Sequence, residues 1–159
     1  MMEVIDNFLP EKEFKEIHSL MTGHMFPWFF LDSMVEPDDG SFQFLHMFFQ
    51  PQVGSNSEHI DMWNTFMKQV GAEKCERIKA NLTLRTSKPY ESLFHNDYDD
   101  MKTAIFYVNT NNGYTEFKNG VIVNSVANRV CLFDSNLQHR GVTHTEGDYQ
   151  RIVVNFNYA

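Results

Sequence analysis

Cysteine is scarce in this chain, which has only Cys75 and Cys131 among its 159 residues. Neither residue belongs to a C-x-x-C pattern, so the sequence predicts neither a disulfide scaffold nor a zinc site. We therefore expect both thiols to be reduced, as is usual for proteins inside the cell.

The chain also has few positive charges and no long apolar run. The chain has 13 Lys and Arg against 21 Asp and Glu, which gives a net charge of −8 at pH 7. This disfavours a nucleic acid as substrate, because binding to phosphates depends on clustered basic residues. The N-terminus carries Glu3 and Asp6 where a secretion signal needs positive charge and then apolar residues. No apolar window approaches the length of a membrane span, so we predict a cytoplasmic protein without membrane association.

Aromatic residues, in contrast, are abundant. The 15 Phe, 6 Tyr and 2 Trp make up 14% of the chain. Side chains of this kind provide bulky core material and favour a sheet-rich fold. A chain of this length fits one domain that buries roughly 70% of its unfolded surface. We therefore predict a single domain over residues 1–159.

Two segments show the spacing of amphipathic helices. Residues 11–21 carry apolar side chains near the helical period, with Pro10 at the start and Gly23 just past the end. Further on, Ser55 and Glu58 resemble a capping box, and apolar residues then recur at helical spacing as far as Gly71. The sequence thus predicts two helices that pack against a sheet.

The remainder of the chain predicts strands. From Glu76 onward the apolar period becomes two, and two Phe-rich segments before it are bounded by Pro and Gly. Asn and Gly tolerate positive φ, so residues 109–113 are predicted to form a hairpin turn. Short strands separated by turns indicate an all-β sandwich or jelly roll, with the helices on one side. The predicted strands cover residues 26–32, 43–49, 77–85, 103–109, 114–117, 121–123, 130–133 and 151–158.

Four residues in the second half of the chain indicate a chemistry. His95 and Asp97 form an H-x-D pair, His139 follows 42 residues after Asp97, and Arg151 lies 12 residues beyond His139. Alternate side chains of an extended segment point the same way, so the H-x-D pair can reach one metal. Two histidines and a carboxylate occupy one face of a six-coordinate Fe(II) and leave three positions open. Because H-x-D is short and has many chance matches, the pair alone is better explained as a loop histidine and an acidic turn.

The surrounding motifs strengthen the case. They are a T-x-x-x-Y strand from Thr103, a G-x-T-x-F turn from Gly113, the strand N-R-V-C-L-F from Asn128, H-R-G from His139 and the late Arg151. This order resembles the catalytic core of the 2-oxoglutarate/Fe(II) oxygenases, in their prolyl-4-hydroxylase-like branch. The likeness covers most of the chain, and the compact length is similar to that of small viral and bacterial members. It implies the double-stranded β-helix, a cupin-like jelly roll buttressed by N-terminal helices, and a host cytoplasm if the source is viral.

The resemblance implies that His95, Asp97 and His139 are the catalytic iron ligands. His144 competes with His139, but a separation of seven residues from Arg151 would be short for the family. We therefore predict that His139 is the ligand and that His144 is a loop histidine near the mouth of the site. The carboxylate at Asp97 favours hydroxylation or demethylation, because halogenases of the family have a small residue there.

The resemblance also implies a binding site for 2-oxoglutarate. Arg151 begins an apolar strand, where an unpaired guanidinium is costly to bury. The distal carboxylate of the co-substrate would satisfy it through two parallel hydrogen bonds, with Tyr107 as a second donor. Alternatively, Arg151 pairs with an acidic residue and Tyr107 is only a core tyrosine. Asn81 and Asn155 are predicted as further contacts, although a buried asparagine needs partners with or without a ligand.

The implied reaction is hydroxylation of a C–H bond by Fe(II), 2-oxoglutarate and O2, with release of succinate and CO2 and with ascorbate as an optional accessory reductant. The resemblance favours a peptidyl proline as substrate, followed by another protein side chain or a free amino acid. The alternative is a non-enzymatic jelly-roll binding module whose histidines are incidental. Such a module has no need of Tyr107 and Arg151 behind a metal site. The sequence leaves the oligomeric state open.

Overall fold

The fold is seen in a computed structural model that describes residues 2–53 and 55–159. These residues form eleven strands, two α-helices and two short 3-10 turns. The helices are α1 (Glu11–Thr22) and α2 (Asn64–Gln69). The strands are β1 (Glu3–Ile5), β2 (Phe29–Leu31), β3 (Gln43–Gln50), β4 (Ser55–Asn56), β5 (Cys75–Leu84), β6 (Lys102–Tyr107), β7 (Tyr114–Phe117), β8 (Ile122–Asn124), β9 (Arg129–Asp134), β10 (His139–Val142) and β11 (Gln150–Tyr158).

The strands form two antiparallel sheets. The larger sheet has the order β1-β9-β6-β11-β5-β3-β2, with β4 paired to β3, and the smaller has the order β10-β7-β8. Apolar residues fill part of the space between them, where Ile105 and Val153 from the larger sheet cluster with Phe117 and Val123 from the smaller one. This confirms the predicted jelly roll with flanking helices. No helix among the described residues combines the length and the apolar character needed to cross a bilayer.

A second core lies between the larger sheet and the helices. Trp63 and Phe66 pack edge-on against Phe106 of β6, and Phe66 stacks on Phe156 of β11 with ring centroids 3.9 Å apart. All four side chains are fully buried. The aromatic residues that are abundant in the sequence are therefore concentrated where the helices cover the sheet.

The central strands β5 and β11 present different side chains to the two cores. They pair along almost their whole length, and successive residues of a strand point to opposite faces. Residues facing the helices are apolar on both strands. The residues facing the gap between the sheets are Arg77, Lys79, Asn81 and Thr83 on β5 and Arg151, Val153, Asn155 and Asn157 on β11.

The second predicted helix begins later than the sequence indicates. Ser55 lies in β4 rather than at the start of a helix, and a 3-10 turn over Ile60–Trp63 precedes the six-residue α2. The hydroxyl of Ser57 accepts a hydrogen bond of 3.1 Å from the backbone N–H of His59. Local bonds of this kind compete with helix formation, which is why the apolar spacing is not realised as one long helix.

Candidate metal and co-substrate site

The structure brings His95, Asp97 and His139 together although they come from separate segments. His95 lies in the loop after β5 and His139 begins β10, and the two backbones exchange hydrogen bonds of 3.0 and 2.9 Å. One potential ligand atom from each of the three side chains lies within 4.8 Å of the other two. The arrangement matches a two-histidine, one-carboxylate metal site.

Both histidine rings are oriented by backbone carbonyls. The Nδ1 atom of His95 lies 3.2 Å from the oxygen of Leu93, and that of His139 lies 3.0 Å from the oxygen of Leu137. Because a carbonyl only accepts, Nδ1 must carry the proton, and Nε2 retains its lone pair for a metal. Burial and the nearby His95 lower the pKa of His139, which favours the neutral ring that ligation requires.

Asp97 is held in its ionised form by a network that sequence patterns did not reveal. Its Oδ1 accepts a hydrogen bond of 2.9 Å from Arg77, and its Oδ2 accepts bonds of 3.0 Å from Asn157 and 3.2 Å from Thr103. Burial raises the pKa of Asp97, but Arg77, His139 and the Asn157 bond outweigh it, and the pKa lies below its ordinary value. The alternation of polar residues along β5 was the available signal for Arg77.

Arg151 is buried between the sheets, with only 5% of its surface exposed. Its Nε donates a hydrogen bond of 2.9 Å to the hydroxyl of Ser125. Within residues 2–53 and 55–159 it forms no ion pair, so the alternative of an acidic partner is wrong for that part of the chain. Burial lowers the pKa of Arg151. The two terminal nitrogens of this guanidinium are thus desolvated without a counter-charge from the protein.

Gly113 leaves room for the Arg151 side chain, whereas a side chain at Gly141 would only contact it. A Cβ placed on Gly113 would lie 2.7 Å from Cδ of Arg151 and 2.9 Å from the backbone oxygen of Val142. A Cβ on Gly141 would lie 3.9 Å from Nη1 of Arg151. The sequence predicts that Gly113 adopts a positive φ in the turn, but its φ is not positive. Its lack of a side chain is what positions the arginine.

The candidate ligands and Arg151 share one cavity of about 300 Å³. Asn81 and Asn155 also line this cavity. The Oδ1 atom of each is buried and has no hydrogen-bond partner among the residues that the structure describes. Tyr107 is fully buried just behind the wall, where its hydroxyl donates a bond of 2.8 Å to the hydroxyl of Thr115. Burial raises the pKa of Tyr107, so it stays a neutral donor. All the predicted site residues therefore lie in or directly behind this cavity.

His144 is placed differently from the prediction. It is fully buried rather than at the mouth of the cavity, and its Nε2 lies 2.8 Å from the backbone oxygen of Asp148. The group of potential metal ligands contains His139, not His144, together with His95 and Asp97. His144 directly follows the buried residues Val142 and Thr143, before the chain reaches the exposed residues 146–149.

Two other arginines near the motifs form ion pairs. Arg129 donates to both carboxylate oxygens of Asp6, on the far edge of the larger sheet. Arg140 bridges Glu91 and Glu116, both at 2.7 Å, and so ties the loop before His95 to the smaller sheet. Their charges are satisfied, and neither residue lines the cavity.

Comparison with known proteins identifies the fold. No protein-family model matches the chain, and no curated protein matches its sequence. An oxidoreductase of the 2OG-Fe(II) oxygenase family from Burkholderia pseudomallei superposes with a TM-score of 0.71 at 11% identity, covering 99% of this chain and 84% of that one. A prolyl-4-hydroxylase from Pseudomonas putida superposes with a TM-score of 0.67 at 14% identity, covering 99% and 92%. A prolyl hydroxylase from Trichoplax adhaerens, solved with a peptide fragment of hypoxia inducible factor, gives 0.70 at 13% identity, covering 99% and 82%. The chain has the jelly-roll fold of these oxygenases.

Proposed function

We propose that this protein is an Fe(II)- and 2-oxoglutarate-dependent dioxygenase that hydroxylates a C–H bond and releases succinate and CO2. One observation carries the proposal. A two-histidine, one-carboxylate group and a buried guanidinium without an acidic partner in the described residues line the same cavity. The fold shared with 2-oxoglutarate oxygenases supports the same conclusion.

The three proposed ligands fit an iron ion. His95 and His139 offer Nε2 lone pairs because their Nδ1 protons are directed to carbonyl oxygens. Asp97 contributes the negative charge, and three coordination positions remain for the co-substrate and O2. When bound, the iron and 2-oxoglutarate supply the oxidising chemistry, while the protein orients the reactants and excludes water.

Arg151 fits the distal carboxylate of 2-oxoglutarate. Ser125 fixes its Nε, so both terminal nitrogens are free for a two-pronged, charge-assisted contact. The hydroxyl of Thr115 accepts a hydrogen bond from Tyr107 and can therefore donate its own hydrogen to the same carboxylate. Asn81 and Asn155 also line the cavity, and their amide N–H groups are proposed as further donors to the co-substrate.

The favoured substrate is a peptidyl proline, followed by another protein side chain or a free amino acid. Two of the similar structures are prolyl hydroxylases, and one of them was solved with a peptide. The net charge of −8 argues against a nucleic acid. A non-enzymatic binding module remains the alternative, but it leaves unexplained why Arg151 is buried without a counter-charge.

The test is iron-dependent formation of succinate from 2-oxoglutarate, with and without proline-containing peptides. We expect the wild-type protein to produce succinate, and we expect Asp97→Ala to bind Fe(II) weakly and to produce none. Asp148→Ala, outside the cavity, serves as the control and should behave as wild type. Full hydroxylation by Asp97→Ala, without added halide or carboxylate, would refute the ligand assignment. Absence of both iron binding and succinate formation in the wild type would favour the binding module.

A further inference from the structure

Lys79 is a cavity residue to which the proposed function assigns no role. It lies on β5 between Arg77 and Asn81, faces the gap between the sheets and pairs in register with Asn155 of β11. Arg77 is neutralised by Asp97. Lys79 has neither a hydrogen bond nor an ion pair to any residue that the structure describes. It is therefore a cation that faces the cavity without a partner.

Keeping this ammonium unpaired has a physical cost. Burial, and to a smaller extent the nearby Arg77, lower the pKa of Lys79 to about 8. Near neutral pH the side chain still carries its proton in most molecules. A desolvated charge is unfavourable unless an opposite charge compensates it. An anion bound in the cavity would remove this cost.

The charges that line the cavity leave it with a net positive charge. Arg77, Lys79 and Arg151 are its cations and Asp97 is its carboxylate, in a protein whose net charge is −8. The formal charges of a divalent metal and a 2-oxoglutarate dianion cancel, so the assembled site would retain positive charge. Such a local field attracts an anionic ligand and repels a cationic one.

The position of Lys79 separates it from the proposed anchor of 2-oxoglutarate. Along the sheet, Lys79 pairs with Asn155 while Thr83 pairs with Arg151. Four residues of strand separate these pairs, which is about 13 Å. Lys79 lies instead next to Arg77, the residue that contacts Asp97. An anion at Lys79 would thus lie at the metal end of the cavity, where a substrate must approach.

We propose that Lys79 binds a carboxylate of the substrate beside the metal site, so that this protein selects substrates that carry a carboxylate near the reacting group. This rests on the proposed dioxygenase function and narrows its substrate class. Two sources supply such a group, an acidic side chain next to the reacting residue of a peptide and the α-carboxylate of a free amino acid. The cavity of about 300 Å³, which also holds the co-substrate, is small for a ligand site and admits only a compact group.

The test uses matched probes that differ only in one carboxylate. The protein is loaded with Mn(II) and 2-oxoglutarate and titrated by calorimetry with L-proline against L-prolinamide, and with acetyl-Pro-Glu-amide against acetyl-Pro-Gln-amide. In one of the two pairs, we expect the member with the carboxylate to bind at least tenfold more tightly than the member with the amide. The pair that shows the preference identifies the source of the carboxylate.

The variants assign the preference to one side chain. Lys79→Met keeps the length of the side chain without its charge, and we expect it to reduce the preference to less than twofold. Lys79→Arg should retain a preference, and Lys68→Met, an exposed lysine on α2, should not change it. Affinity for 2-oxoglutarate should be the same in all of these proteins.

Several outcomes would overturn the inference. They are an acid preference that persists in Lys79→Met, an absence of preference in the wild type, and a loss of 2-oxoglutarate affinity in Lys79→Met as large as that in Arg151→Lys. In the last case Lys79 contacts the co-substrate instead. A wild-type protein that binds metal and 2-oxoglutarate but shows no acid preference contradicts only this inference. A protein that binds neither contradicts the proposed function.

Discussion

The two faces of the central strands differ in how completely their side chains are satisfied. On the helix side, Phe156 and its neighbours are fully buried in aromatic contacts that need no further partner. On the cavity side, Arg151 lacks a counter-charge and the amide oxygens of Asn81 and Asn155 lack donors in the described residues. Buried polar groups in folded proteins are normally paired. The same two strands thus stabilise the fold with one face and offer a ligand site with the other.

The largest expected effect is on the helix side. Phe66→Ala removes a fully buried ring that stacks on Phe156, and we expect a loss of about 3 to 5 kcal/mol in the free energy of unfolding. Phe29→Ala is the matched control, because that ring is 59% exposed and its loss should cost less than about 0.5 kcal/mol. Urea unfolding measures both. Affinity for 2-oxoglutarate should not change while the variant stays folded, and a large loss of affinity would show that the two faces are not independent.

The next largest expected effect is on the use of 2-oxoglutarate at the cavity side. Arg151→Lys keeps the charge but lacks the planar fork, so we expect the Michaelis constant for 2-oxoglutarate to rise by at least about tenfold. Metal binding should persist, because Arg151 is not a proposed ligand. Arg129→Lys, which alters an ion pair with Asp6 far from the cavity, is the control. If calorimetry finds 2-oxoglutarate binding unchanged in Arg151→Lys and Arg151→Ala, the anchor lies elsewhere, and Arg77 or Lys79, the other cations that line the cavity, should be tested.

Tyr107→Phe tests whether the hydroxyl behind the cavity wall serves the ligand or the core. The substitution removes the bond to Thr115, and we expect 2-oxoglutarate to bind about 1 kcal/mol more weakly. Tyr158→Phe, a buried tyrosine on the helix side, should leave that affinity unchanged. A loss of stability in Tyr107→Phe with unaltered affinity would identify Tyr107 as a core tyrosine only.

The last comparison concerns the pH dependence of stability in the metal-free protein. The pKa of Lys79 is lowered to about 8 from 10.5, so between these values the unfolded chain binds more protons than the folded one. The contribution of Lys79 to stability should therefore rise with pH in this window, by at most about 1.4 kcal/mol per pH unit. Lys79→Met should be more stable than wild type below about pH 8, and the difference should shrink toward the upper end of the window. Urea unfolding at both ends of the window measures this, and a difference that is independent of pH would show that Lys79 is not desolvated.

Several parts of the fold followed from local patterns, and others did not. The first helix and most strand positions agree with the sequence periodicities, because burial of one face imposes a period on each element. The strands β1 and β10 were missed because both are short and form only against partners distant in the chain. The second helix begins later than expected because the hydroxyl of Ser57 accepts a local hydrogen bond from His59 and residues 55–56 pair with β3, and both compete with helix formation.

For the candidate site, the sequence alone determined the residue types and their order. The H-x-D pair, His139 and Arg151 were identified from their spacing and the surrounding motifs, and the structure brings them to one cavity. Only the tertiary structure decided that Arg77 holds Asp97 and that Arg151 and Lys79 have no counter-charge in the described residues. Side-chain spacing within one strand is a local property, whereas the pairing of charges depends on which distant strands become neighbours. A periodic pattern specifies which face is polar, but only the assembled sheets determine which of those polar groups remain free to bind a ligand.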